Sequence, residues 1–488
     1  MALRITISKQ FPSFNTHWPP LVFLLVSAVL LLLFSGSTSP LHDISYSDGL
    51  VFRYISMAMA DGKTIYVDVF DNKGPFLYLI NYLALMIHPA YGLLFLQWVH
   101  WSFFFYLSYC LHKQFRSHHF WGWVLPLLVT FIIRFFDNGN LTEEWSLLPL
   151  TLPLFFILPL YRGEKTELLP SQSFFYGICI GLLALLRLNN VVPLVSILLW
   201  WLICQVHQGR YASLVRFFVF SFLGFMLPIL STAAWLYYKA GIYGWYEWYY
   251  ATILVNIDYF YEQVQQSSPI PLWKILPVIF FHATFLCLAL IKFYKSSQYF
   301  SLAISLILTF VLTYLSMGQH WFSHYQMILL PTFLLSFSLL LRASHHLLFS
   351  VLLLSSLYMC KYNVFDAWLH YQHKPDNQVF HQEFAQVVAQ IPPQERDQLW
   401  NLNASIFAFA DVVLQQRLYP VNRVDRPCLE EDRYPQSSFA SQRPLWVIVD
   451  EDALIDHSSD ALFLRQYYTL VDSTQSAFRH RFSLYRQN

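Results

Sequence analysis

Charge is what this 488-residue sequence has least of: Asp, Glu, Lys and Arg together make up 12% of it, where a water-soluble globular chain carries about a quarter. The 30 Lys and Arg nearly cancel the 29 Asp and Glu, leaving a formal net charge of +1, which excludes a bulk nucleic-acid binder and an acidic interaction tail. Cysteine is scarce as well. There are six, Cys110, Cys179, Cys204, Cys287, Cys360 and Cys428, without a CxxC pair; they offer neither a disulfide framework nor a metal knuckle, and read as small apolar filler. No repeat of fixed period and no low-complexity segment is present, which excludes a solenoid and a disordered arm.

What is there instead is apolar: 56% hydrophobic and 19% aromatic residues, with a mean hydropathy of +0.42. The average hides a division. Residues 1–361 hold 32 charged side chains and residues 362–488 hold 27, so an apolar membrane body is followed by a tail of ordinary soluble composition.

Apolar runs long enough to cross about 30 Å of hydrocarbon occur near residues 18–36, 90–111, 120–136, 145–161, 172–187, 191–206, 217–238, 273–292, 298–316, 327–342 and 346–360. The expected fold class is therefore a polytopic α-helical membrane protein of eleven spans with a small α/β soluble domain over residues 362–488. The Ser- and Gly-rich stretch after the first run also fits a signal-peptide cleavage site; the run is taken as a retained anchor. Basic residues favour the cytoplasmic side of a span. With the N-terminus inside, every inner loop is basic, and eleven of the thirteen acids of the body fall on the other face. The 13 apolar residues from Pro75 to Ile87 are too short for an upright span and are read as an interfacial helix on the outer face. An odd number of spans places the tail outside. There a helix is expected over 376–391, closed by Pro392 and Pro393, with strands near 405–410, 444–449 and 467–471.

The densest polar cluster lies in the first outer segment, 37–89. Val51, Tyr54, Ile55, Ala58 and Met59 recur at helical spacing, giving an amphipathic surface helix from Asp48 that Gly62 ends. Asp48 at its start reads either as a helix cap or as a general base kept ionised by N-terminal amides. Asp71 and Lys73, two residues apart just before Pro75, suit a lysine that meets a lipid phosphate, or equally one paired with headgroups or with Asp71. Glu143 and Glu144 open the next span, where capping is the competing explanation. Arg187, followed by Asn189, offers a planar fork to phosphate oxygens at the outer end of the fifth span. His324 and Tyr325 stand near the outer end of the tenth, where a packed histidine is the plainer reading. The aromatic segment 243–261 serves as an interface belt or as a wall for sugars and prenyl chains.

Through Asp48, Gly62, Tyr66, Asp71 to Pro75, Asn140 to Glu144, Arg187 to Asn190, His324, Tyr325 and Pro331, the sequence resembles multi-pass glycosyltransferases of the GT-C superfamily. The similarity is to the branch holding the protein O-mannosyltransferases and the lipid A aminoarabinose transferases, and it spans roughly residues 40–335. It implies a transmembrane transferase module over 1–361, an extracytoplasmic domain over 362–488, and a bacterial inner or plasma membrane location. It also implies transfer of a sugar from a polyprenyl-phosphate donor to an acceptor hydroxyl on an envelope glycan, lipid or protein. Asp48, with Glu143 or Glu144, matches the catalytic acids; Lys73, Arg187, His324 and Tyr325 the donor-phosphate site; and Asp68, Asp71 and Asn189 supporting positions. No tightly bound cofactor is implied, and a divalent cation between Asp48 and the glutamates is left open. Two departures stand out: the family often has Asp-Glu where this chain has Asp48 and Gly49, and Lys-Pro-Pro where it has Lys73, Gly74 and Pro75. The second is expected to alter how the following helix begins more than the chemistry. A transporter or flippase of a lipid-linked sugar is the rival reading; it should show half-helices broken by Gly or Pro.

Overall fold

The computed structural model describes residues 18–41, 48–69, 71–115, 139–257, 297–317 and 323–341, and in the tail 382–402, 421–422, 443–451, 459–475 and 481–488, with a few isolated positions besides. Helix dominates. Helix α1 (Trp18–Phe34) lies along α4 (Gly92–Lys113), where the Ser27 and Ser102 hydroxyls meet at 2.5 Å and the Trp98 indole donates to the Leu24 carbonyl. Between them, α2 (Asp48–Ala60) buries Val51, Tyr54, Ile55 and Ala58 on one face, as the helical spacing dictates. Gly62, at φ +91°, terminates the turn that follows. Pro75 at the first position, with its pre-set φ, starts α3 (Pro75–Ile87), a 13-residue helix with the bounds expected from the sequence. The axes of α3 and α4 meet at 117°.

The expected span 145–161 is not one straight helix. It breaks into α5 (Thr142–Trp145), α6 (Leu147–Thr151) and α7 (Leu154–Tyr161), with a 49° bend where Pro153 removes a backbone donor. Helix α8 (Pro170–Ala184), α9 (Val192–His207) and α10 (Tyr211–Tyr249) follow. Helices α8 and α10 touch backbone to backbone. A Cβ on Gly177 would lie 1.9 Å from the Ser221 carbonyl oxygen, and one on Gly224 would lie 1.9 Å from that of Phe174. Small residues facing each other are how helices without a hydrophobic driving force pack closely. Helix α10 kinks at Ala240 and Gly241 and runs into a π-helical turn at Tyr250–Leu254. Helix α11 (Ser297–Ser316) and α12 (Leu330–Leu341), the latter preceded by a 3-10 turn at Ser323–Leu329, complete the described bundle.

By length and composition three helices among the described residues are long and apolar enough to cross a membrane, or up to five if each bent pair counts as one span. The eleven spans expected from hydropathy are therefore not reproduced among the described residues. Runs 120–136, 273–292 and 346–360 lie almost wholly outside those residues, while 18–36, 145–161 and 327–342 correspond to helices that are short or broken. A hydropathy window cannot see such breaks, because Pro and 3-10 turns leave the apolar average untouched.

All described strands belong to the tail. The five, β1 (Leu399–Leu402), β2 (Val421–Asn422), β3 (Trp446–Asp450), β4 (Tyr468–Gln475) and β5 (Arg481–Gln487), form one sheet in the order β2-β1-β3-β5-β4. Strand β1 runs parallel to β2 and β3, whereas β3, β5 and β4 are antiparallel, with Val447 opposite Tyr485. The strands expected at 444–449 and 467–471 match β3 and β4; the one at 405–410 lies outside the described residues. Helix α13 (Ser459–Tyr467) and a helix over 382–389, followed by Pro392 and Pro393, flank the sheet. Phe384, Val388, Trp446 and Phe482 of the tail belong to one continuous apolar cluster with Leu50, Ile55, Tyr66 and Tyr78 of the first loop. The tail core and the loop that bears Asp48 and Lys73 thus share a single packed interior.

Candidate functional site

Two backbone hydrogen bonds bring the candidate cations together. The Gly74 amide donates to the Leu186 carbonyl and the Phe76 amide to that of Leu185, each at 3.0 Å, so the loop carrying Lys73 is fastened to the last turn of α8, just before Arg187. A side chain at position 74 has no room, since a Cβ there would sit 2.0 Å from the Leu185 oxygen. Gly74 is thus a clamp: proline there would lose the amide donor, and any Cβ would push the segments apart. Gly74→Ala should lower stability by about 1–3 kcal/mol, as overpacking of a closed contact does. The thermal midpoint of the purified protein in detergent checks this, and an unchanged midpoint would contradict the clamp.

Arg187 is the hub of the site. Its Nη1 donates to Glu143 Oε1 at 2.9 Å and its Nη2 to the Tyr325 hydroxyl at 2.8 Å, while the guanidinium lies over the Tyr325 ring, 4.1 Å from its centroid. Glu143 also accepts from the Thr142 hydroxyl at 2.9 Å and stands within electrostatic reach of His324, whose ring meets Tyr325 edge-on at 4.6 Å. Lys73 donates to the Asn72 side-chain oxygen at 2.8 Å. Burial pulls the Lys73 ammonium towards a lower pKa, but the carboxylates of Asp71 and Asp48 outweigh it, so the pKa is raised. Lys73 therefore keeps its charge, and Asp48, Arg187 and Tyr325 lie near enough to act on it.

The remaining candidates have defined places. Asp71 accepts from the Asn72 amide and from the Tyr78 hydroxyl, both at 2.6 Å. Asp68 accepts from the Thr64 amide at 2.6 Å and holds a tight turn. Asn189 donates to the Ser316 carbonyl at 3.0 Å. Glu144, adjacent to Glu143, faces elsewhere. Its carboxylate accepts from Gln97 at 3.0 Å, from the Trp101 indole at 2.7 Å and from the Asn140 amide at 2.6 Å. That network continues through Asn140 to Asn81, Trp145 and the Gly49 carbonyl. The structure therefore separates the two glutamates, which the sequence left interchangeable: Glu143 joins Arg187, while Glu144 is enclosed by two donors of α4 and the Asn140 amide and has the surroundings of a structural anchor.

Beside Arg187 opens a cavity of about 760 Å³, in the size range of small-molecule sites. Phe225, Ile229, Ile253, Ile257, Leu315 and Met317 supply an apolar wall, and Arg187, Asn189, Tyr325, Asn72 and Asn256 supply polar groups. Asp48, Lys73 and Glu143 are not among the lining residues; Lys73 adjoins the cavity through its neighbours Asn72 and Gly74. The π-helical turn contributes Thr252 and Ile253, and Asn256 ties it to the loop by donating to the Asn72 carbonyl at 2.9 Å. Sequence reasoning read this segment as an aromatic belt or as a wall for sugars and prenyl chains, without the π-turn, which leaves no local signal in composition. Tyr78 and Gln97 were missed because their partners lie on other elements.

Glu143 is engaged by Arg187 and Thr142, Glu144 by nitrogen donors, and among the described residues no group of three or more His, Cys, Asp and Glu is placed to hold an ion.

Protein-family models give no match to the chain, and a search among curated proteins gives none either.

Proposed function

We propose that the protein is a membrane glycosyltransferase that moves a sugar from a polyprenyl-phosphate donor to an acceptor hydroxyl at the outer face of the membrane. One observation carries the reading: an apolar cavity of about 760 Å³ with a held guanidinium at its edge, which suits an amphiphile with an anionic head. Glu143 and Tyr325 use two N–H groups of Arg187, and an arginine has five, so a phosphate oxygen can be met without breaking either bond. In this reading the prenyl chain lies along Phe225, Ile253 and Leu315. Asp48 accepts the proton of the acceptor hydroxyl, whose oxygen attacks the anomeric carbon as the bond to the phosphate oxygen breaks; the direct displacement inverts that carbon. Charge grows on the departing phosphate, and Lys73 and Arg187 stabilise it by several kcal/mol in a site shielded from water. The N-terminus would be cytoplasmic and the tail extracytoplasmic.

The rival, translocation of a lipid-linked sugar, is favoured by the span broken at Pro153 and the kink at Gly241. One experiment separates the two. Purified protein in liposomes holding a polyprenyl-phosphate sugar is expected to form a glycosylated acceptor, and movement of the donor between leaflets without product would favour translocation instead. Lys73→Ala should raise the KM for donor about tenfold or more, the worth of one charge-assisted hydrogen bond, at unchanged expression. Equal loss of expression and activity would mark a structural lysine.

A further inference from the structure

Tyr66 is a buried aromatic residue in a backbone conformation that L-residues with bulky side chains rarely adopt. Its φ is +70° and its side chain is 1% exposed. Such conformations persist only where surrounding contacts over-determine them, and they cluster where geometry must be held. Two of the contacts at Tyr66 lead towards Lys73. Its amide donates to the Val69 carbonyl at 2.6 Å and closes a turn. Its hydroxyl crosses the loop and donates to the Lys73 carbonyl at 2.8 Å. Its ring meets Tyr78 edge-on at 6.5 Å, and the Tyr78 hydroxyl holds Asp71, the carboxylate with the strongest pull on the Lys73 ammonium. From the other side the Gly74 clamp fixes the next residue to Leu186. Lys73 is thus pinned at its own carbonyl, at its charge partner and at its neighbour's amide, and Tyr66 provides the first directly and supports the second.

We propose that Tyr66 is a positioning residue that sets the Lys73 ammonium where a ligand phosphate meets it. This rests on the reading of Lys73 as a phosphate-binding cation, and the experiment keeps the two apart. Farnesyl phosphate binding is measured by calorimetry on the full chain in phosphatidylcholine nanodiscs for wild type, Lys73→Ala, Tyr66→Phe and the double variant. Tyr66→Phe keeps the ring and removes only the hydroxyl. It should weaken binding about five- to tenfold, the size of one lost hydrogen bond, and add nothing in the Lys73→Ala background, as coupled residues do. Wild-type affinity in Tyr66→Phe, or losses that simply add in the double variant, would overturn the positioning role whatever happens to stability. Wild-type affinity in Lys73→Ala would overturn the phosphate reading itself.

Discussion

Asp48→Asn is expected to leave the protein folded and to lower sugar transfer by about 10²- to 10⁴-fold, the usual contribution of a positioned general base. Asp48 opens α2, where the free amides of the first turn favour a carboxylate, and it acts electrostatically on Lys73. Asparagine keeps the size and a carbonyl oxygen for those amides, so the start of the helix survives the substitution and proton acceptance does not. The two roles therefore separate in one variant. Turnover measured at saturating donor, beside the thermal midpoint, decides between them. Near-normal turnover would remove Asp48 from the chemistry and leave it a cap.

The adjacent glutamates should behave oppositely, and this is the second large effect. The Glu144 carboxylate accepts from N–H groups of Gln97, Trp101 and Asn140. Glu144→Gln would turn an amide NH₂ toward those donors inside a buried network, and leaving buried donors unmet beside a lost charge costs about 3 kcal/mol or more. Folded yield should fall sharply. Glu143→Gln keeps a carbonyl oxygen for Arg187 and should fold normally, yet lose donor affinity because the guanidinium is held less firmly. Thermal unfolding and donor KM on both variants read this out; a stable, active Glu144→Gln would show that the network is not an anchor.

Much of the site-bearing loop is legible in the sequence. Asp48, the apolar spacing of Val51, Tyr54, Ile55 and Ala58, and Gly62 specify α2 from local preferences alone. Pro75 and the 13 apolar residues it begins specify α3 in the same way. The roles of Glu143 and Glu144 are not legible, because neighbours on a helix point in different directions and their partners, Arg187 and Gln97, are tens of residues away in the chain. The Gly74 clamp escapes for the same reason: its fit is set by carbonyls of Leu185 and Leu186. In the tail, β3 is visible as the apolar run 446–449, whereas β5 alternates Arg481, Phe482, Ser483, Leu484 over a short stretch and gains its place only by pairing with β3 and β4. The shared interior of tail and first loop is a tertiary fact without any local trace.

The most direct measurement is photo-crosslinking with a diazirine-bearing farnesyl phosphate in nanodiscs, mapped by mass spectrometry. Labels are expected on the cavity wall, at Phe225, Ile253 and Leu315, to be displaced by unlabelled farnesyl phosphate and to fade in Arg187→Ala. Labels scattered over the outward-facing Val215, Phe218 and Phe222 of α10, indifferent to competitor and to Arg187, would contradict the account.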